Sequence, residues 1–201
     1  MPRRTDDAPR PSQRAAVLKA AMEVMAEKGP EKTRVQDIAA RAGMSAGHVL
    51  YYFGKRDRIL VDTLLESEAD AGTQRDRRIA AAPSPLDAVE RLVRLYLPSG
   101  SSDLRWKLWA QLVARPPQDA ETLAAYDGVL DGWTTALADA IRAGVDDGTF
   151  TCRDPRTTAY RACRLMDGYA LEVLLGAPGR TRAWAVSSVL EALDDELATR
   201  P

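Results

Sequence analysis

The side chains of this sequence best suited to chemistry fall within one short stretch: His48, Tyr51, Tyr52, Lys55, Arg56 and Arg58. Hydroxyls, an imidazole and three cations in that density suit hydrogen bonding to phosphate oxygens and base edges rather than bond-breaking. His48 is the single histidine, and the chain has no Glu-x-x-His pair, GxSxG elbow, phosphate loop or cysteine–histidine pair. An all-helical enzyme is therefore disfavoured, and no catalytic residue is assigned. The neighbouring acids Asp146-Asp147 and Asp194-Asp195 point to different faces of a helix and do not converge. Cys152 and Cys163 form neither a CxxC pair nor a cysteine framework, so no disulfide scaffold, metal or cofactor is expected.

The elements that must hold these side chains are two short helices joined by a glycine turn, between Lys32 and Leu60. Thr33 is expected to cap the first, in which Val35, Ile38, Ala39 and Ala42 recur at i, i+3, i+4 and i+7 and make one apolar face. Gly43 follows, where a left-handed residue ends the helix. Ser45 caps the next helix, which turns Val49 and Phe53 inward and leaves Ala46, Gly47, His48, Tyr51 and Tyr52 on or beside the opposite face. That is the layout of a helix-turn-helix, although spacing alone also fits an ordinary helical hairpin. Lys55, Arg56 and Arg58 around Asp57 place cations at the start of the following helix, whose free amides add to phosphate contacts.

The segment resembles the DNA-binding end of the TetR family of transcriptional regulators through Thr33, Asp37, Ile38, Ala39, Ala42, Gly43, Ser45, Gly47, Phe53 and the basic residue Arg56. The match runs over about Ser12 to Leu65 and is architectural beyond it. The resemblance implies that the helix led by Ala46 enters the major groove and that Thr33, His48, Tyr52 and Arg56 hold phosphates. With Val35, Ser45, Leu50, Tyr51 and Lys55 these complete the expected DNA-facing set. The chain departs from the family pattern at Leu50, where most members carry tyrosine, and at Arg56, where lysine is usual and where Lys55 precedes it.

Charge supports a protein that approaches a polyanion with one end. Residues 1–60 carry 12 Lys+Arg against 7 Asp+Glu, and residues 61–201 carry 16 against 22, so a formal net charge of -1 hides a basic end on an acidic body. At 201 residues and 45% hydrophobic content the chain can bury a substantial core. No segment is apolar enough to span a membrane and the N-terminus lacks a signal core, so a cytoplasmic location is expected.

The expected organisation is all-α with about nine helices: a basic arm over 1–11, a helix-turn-helix domain over 12–56, and a helical ligand-binding and dimerisation domain over 57–201. Arg3, Arg4 and Arg10 of the arm are candidates for minor-groove or phosphate contact. Ser12 is expected to cap a first helix with the stripe Leu18, Ala21, Met22 and Met25, closed by Gly29-Pro30. A long helix from about Asp57 to Ala82 follows, then helices over about 86–97, 103–114, and one through Tyr126, Val129, Leu130, Trp133, Leu137 and Ile141 to about Gly148. No strand pattern occurs.

In the last two helices, Leu165, Met166, Tyr169, Ala170, Leu171, Val173, Leu174 and Leu175 cover most of one circumference, and Val186, Val189, Leu190, Leu193 and Leu197 make a stripe on the other. Either the pair closes a single-chain core or, as the resemblance implies, two chains form a four-helix bundle. A two-fold dimer would read a near-palindrome with its reading helices about 34–36 Å apart or more. Trp106, Trp109, Leu112, Tyr126, Trp133, Leu137, Met166 and Tyr169 are candidate walls of an effector site, with Gln111 or Arg105 as polar contacts. The same aromatics would also make a solid core, leaving a DNA-binding regulator without a ligand. The favoured expectation is a repressor released from its operator by a small molecule, the two affinities being reciprocally linked.

Overall fold

The computed structural model describes residues 11–114, 116 and 119–197. Apart from Pro11, the expected basic arm lies outside them. Among the described residues there are nine α-helices, one short 3-10 turn and no strand. They divide into two compact units, one made of residues up to 67 with 107–117, the other of 68–106 with 118 onward.

The first unit contains α1 (Pro11–Lys28), a 3-10 turn (Pro30–Lys32), α2 (Val35–Arg41), α3 (Ala46–Phe53), the opening turns of α4 (Arg56–Ala80) and most of α6 (Leu104–Ala114). α1 already includes Pro11 and Ser12, so it starts slightly ahead of the expected beginning at Ser12. Val17, Leu18, Ala21 and Met25 of α1 are buried with Ile38 and Ala39 of α2 and Val49 and Phe53 of α3. The unit reaches beyond the expected boundary at 56 because Ile59, Leu60 and Leu64 are buried too, and because Asp62, itself buried, accepts from Arg14 of α1 at 2.9 Å and from Arg58 at 2.8 Å.

Thr33 does not cap α2. The 3-10 turn intervenes, the Thr33 hydroxyl donates back to the carbonyl of Gly29 at 2.9 Å, and the cap position falls to Arg34. Arginine offers no side-chain acceptor, so the turn is closed from the other side, where the Asp37 carboxylate accepts from the Arg34 N–H at 3.4 Å. The exit from α2 follows the sequence. Gly43 has φ 69°, and the Met44 N–H reaches the carbonyl of Ala39 at 2.9 Å. Ser45 then accepts from the His48 N–H at 3.1 Å and starts α3.

The second unit contains the rest of α4, α5 (Pro85–Tyr96), α7 (Ala120–Asp146), α8 (Pro155–Leu175) and α9 (Arg182–Leu197). α5 packs on α7 and α9, α7 on α8, and α8 on α9. Ser84, Asp119 and Asp154 cap α5, α7 and α8, each accepting from backbone N–H groups of the first turn. The Asp119 cap starts α7 one to two turns before the Tyr126 stripe, whose early members are only half-buried.

Near the end of α7, Gly144 is buried against Phe150, and a Cβ at that position would lie 2.2 Å from the ring. Gly144→Ala must therefore displace a buried ring, and a loss of about 1–3 kcal/mol is expected in urea denaturation.

Candidate functional site

α3 has two faces of opposite character. Val49 and Phe53 are buried, while Gly47, Leu50 and Tyr51 are exposed, Tyr51 to 68%. Small residues Ala46 and Gly47 open the helix, so its first turn has no bulk to keep a partner away. The exposed aromatics brace one another: Tyr51 meets Tyr52 edge-on at 5.4 Å between centroids, and Tyr52 meets His48 at 4.7 Å. Beyond Gly54, at φ 72°, Lys55 is exposed at the start of α4.

The structure separates the other expected DNA-facing residues from this surface to different degrees. Thr33 and Val35 are buried. Ser45 spends its oxygen on the cap. Arg56 is a strut: its Nε donates to the Thr33 carbonyl at 2.7 Å, its Nη2 to the Pro30 carbonyl, and its Nη1 lies 3.2 Å from Asp57. Arg56 thus ties the start of α4 to the turn before α2. Beside that strut, Lys28, Lys32, Arg34 and Gln36 border a concavity of about 720 Å³. Arg34 and Gln36, exposed at the head of α2, are candidates the apolar periodicity of that helix passes over.

In the second unit the aromatics are organised by charge. Glu68, its side chain 1% exposed, accepts from the Trp133 indole N–H at 3.1 Å and pairs with Arg105 at 3.2 Å. The Arg105 guanidinium also donates to the Tyr96 carbonyl at 2.5 Å and lies 5.7 Å from the rings of both Trp106 and Trp133. Arg75 lies over Trp133 as well, at 5.3 Å. Tyr96 meets both tryptophans edge-on, and the Trp106 indole donates to its carbonyl at 2.9 Å.

The Tyr96 hydroxyl donates to Asp167 at 2.6 Å, and burial, followed by the Asp167 charge, pushes its ionisation far above the usual tyrosine range. Burial also raises Asp167, against the opposing pull of the Tyr96 hydrogen bond and of Arg164. A carboxyl whose folded pKa is raised favours folding most while protonated, and that contribution is lost as pH rises through the folded value. Asp167→Asn keeps an acceptor for Tyr96 without the charge. Its stability relative to the parent is therefore expected to be highest at neutral pH and to converge on the parent below the ordinary aspartate range, as paired denaturation curves would read. Burial pushes the Cys163 thiol up to about 11, so it is protonated at neutral pH.

Comparison with known proteins places both units. Residues 17–63 match the model of bacterial regulatory proteins of the tetR family, and residues 85–198 match that of the BetI-type transcriptional repressor C-terminal domain. The chain belongs to the TetR family of bacterial transcriptional regulators. The HTH-type transcriptional repressor Rv3405c of Mycobacterium tuberculosis is 39% identical over 77 residues, a match that spans 38% of this chain and 38% of that relative. The regulator PksA of Bacillus subtilis is 25% identical over 183 residues, covering 87% of this chain and 83% of its own. Among solved structures, a transcriptional regulator from Saccharomonospora viridis in complex with choline superposes with a TM-score of 0.82 at 24% identity, over 96% of this chain and 100% of the other.

In this TetR-family regulator the expected effector walls come from both units. Trp109 and Leu112 belong to the first unit, and the remaining six to the second. Of those six, Trp106 and Trp133 join the charged cluster, Leu137 and Met166 are buried, and Tyr169 meets Trp184 edge-on at 4.9 Å. Tyr126 is half-buried. Glu68, Arg75 and Asp167 are the functional candidates that sequence reading passed over. Among the described residues no helix is long and apolar enough to cross a membrane, and no group of three or more His, Cys, Asp or Glu could hold a metal.

Proposed function

We propose that this TetR-family chain is a homodimeric repressor that reads a near-palindromic operator with α3 and leaves it when a small molecule binds the second unit. The observation that carries the proposal is the division of α3 into a buried Val49–Phe53 face and an exposed face bearing Leu50 and Tyr51, with Lys55 next to it. Arg56 contributes by fixing the start of α4, and its remaining donor capacity is directed at phosphate. Thr33 and Val35 act through packing.

The pairing surface in this reading is the outer side of α8 with α9. On α8, Tyr160, Leu171 and Leu175 share one exposed side, Leu175 to 82%, with Leu165 exposed beside it, an apolar surface that association would cover.

The test is binding to DNA from upstream of the chain's own gene beside a scrambled duplex, at two salt concentrations. Selective binding that weakens with salt is expected. Leu171→Glu should halve the mass seen by light scattering and reduce affinity for the full operator at least tenfold. An unchanged mass and affinity would move the dimer away from α8.

A further inference from the structure

Arg75, on the outer half of α4, has a side chain only 16% exposed, yet much of its hydrogen-bonding capacity is unused. Its Nε donates to Asp76 at 2.9 Å and its guanidinium lies over the Trp133 ring. It runs against α7 at Gly132, where a Cβ would lie in ordinary contact with Nη1, at 3.4 Å. Among the described residues, nothing accepts from Nη1 or Nη2. The same arginine lines a groove of about 820 Å³ between α4, the turn at 82–85 and α7. Ile79, Pro83, Ala88, Ala136 and Ala140 give that groove an apolar lining. Of its three carboxylates, Asp131 and Asp139 are paired with Arg156 and Arg142, and Asp76 is the partner of Arg75 Nε.

We propose that this groove binds a monocarboxylate with an apolar body. The carboxylate accepts from Nη1 and Nη2 of Arg75, and the body lies along the Gly132, Ala136 and Ala140 side of α7. The planar guanidinium, with Nε already fixed by Asp76, presents a fork of the spacing a carboxylate matches. An organic cation would meet the same fork with the wrong sign. The volume falls in the range of small-molecule sites, and its apolar lining with one oriented charged group has their usual composition. The consequence for DNA, that such an acid is the effector, rests on the reading of the second unit given above.

Calorimetric titration of the full chain with decanoate and 4-phenylbutyrate, beside decyltrimethylammonium, tests the site on unaltered protein. Saturable binding of a carboxylate, at least tenfold tighter than the ammonium, is expected. Arg75→Met should weaken it about tenfold or more, and Ala136→Leu should weaken it with the fork intact. The site is overturned by no saturable binding of either acid, by equal or tighter binding of the ammonium, or by parent-like affinity in both variants. Adding decanoate to the operator complex separates the two claims: release of DNA supports the effector role, whereas binding in the calorimeter without release overturns that role and leaves the groove standing.

Discussion

Glu68→Leu is expected to destabilise the second unit by about 3–5 kcal/mol, because it strands a guanidinium and an indole N–H in the interior. Glu68 supplies the counter-charge to Arg105, whose side chain is 15% exposed, and the acceptor for Trp133. The loss is expected to appear as unfolding free energy, since the stranded guanidinium keeps its donors without the carboxylate acceptor. A fall on the order of 10 °C in melting temperature should accompany it. The double variant Glu68→Leu, Arg105→Met removes both charges and should recover much of the loss, since a matched apolar pair in place of a buried ion pair is often neutral. If the single variant melts within 2–3 °C of the parent by roughly that conversion, the cluster is not the keystone of its unit.

Tyr51→Ala should lower operator affinity by about 1–3 kcal/mol, roughly fivefold or more, while leaving binding to unrelated duplex nearly unchanged. Tyr51 is the most exposed large side chain of α3 and is propped by Tyr52, so truncation removes contact surface without touching the core. Lys55→Ala should behave differently. A phosphate contact weakens all duplexes alike and lowers the slope of log affinity against log salt by about 0.9. Fluorescence anisotropy with specific and scrambled duplexes over a salt series distinguishes the two. Loss of both specific and unrelated binding in the Tyr51 variant, with a changed salt slope, would reassign that tyrosine to the backbone.

The parts of the fold legible in the sequence are those set by local backbone chemistry. Gly43 and Ser45 have few alternatives next to an apolar period of 3.6, and both do what that period predicts. Thr33 misled because its hydroxyl had a second acceptor, the Gly29 carbonyl, made available by a 3-10 turn that no periodicity announces. Glu68, Arg105 and Trp133 were hidden for a different reason. They are 37 and 65 residues apart along the chain, and a charged pair buried by tertiary packing leaves no repeat in the sequence. The same holds for Arg75, whose place over Trp133 joins residues 58 positions apart on different helices. A row of aromatics in sequence identifies bulk to be buried, and only the fold decides which rings share a neighbour.

The eight-residue α3 lies between two glycines of positive φ and is anchored by Val49 and Phe53. A helix that short does not hold its shape alone, so its order is lent by the core beneath it. Because the anchoring positions and the outward ones are different residues, operator preference can drift at Ala46, Gly47, Leu50 and Tyr51 with little penalty to folding. A library randomised at those four sites should yield mostly folded proteins with altered targets, making this head a scaffold whose specificity evolves faster than its architecture.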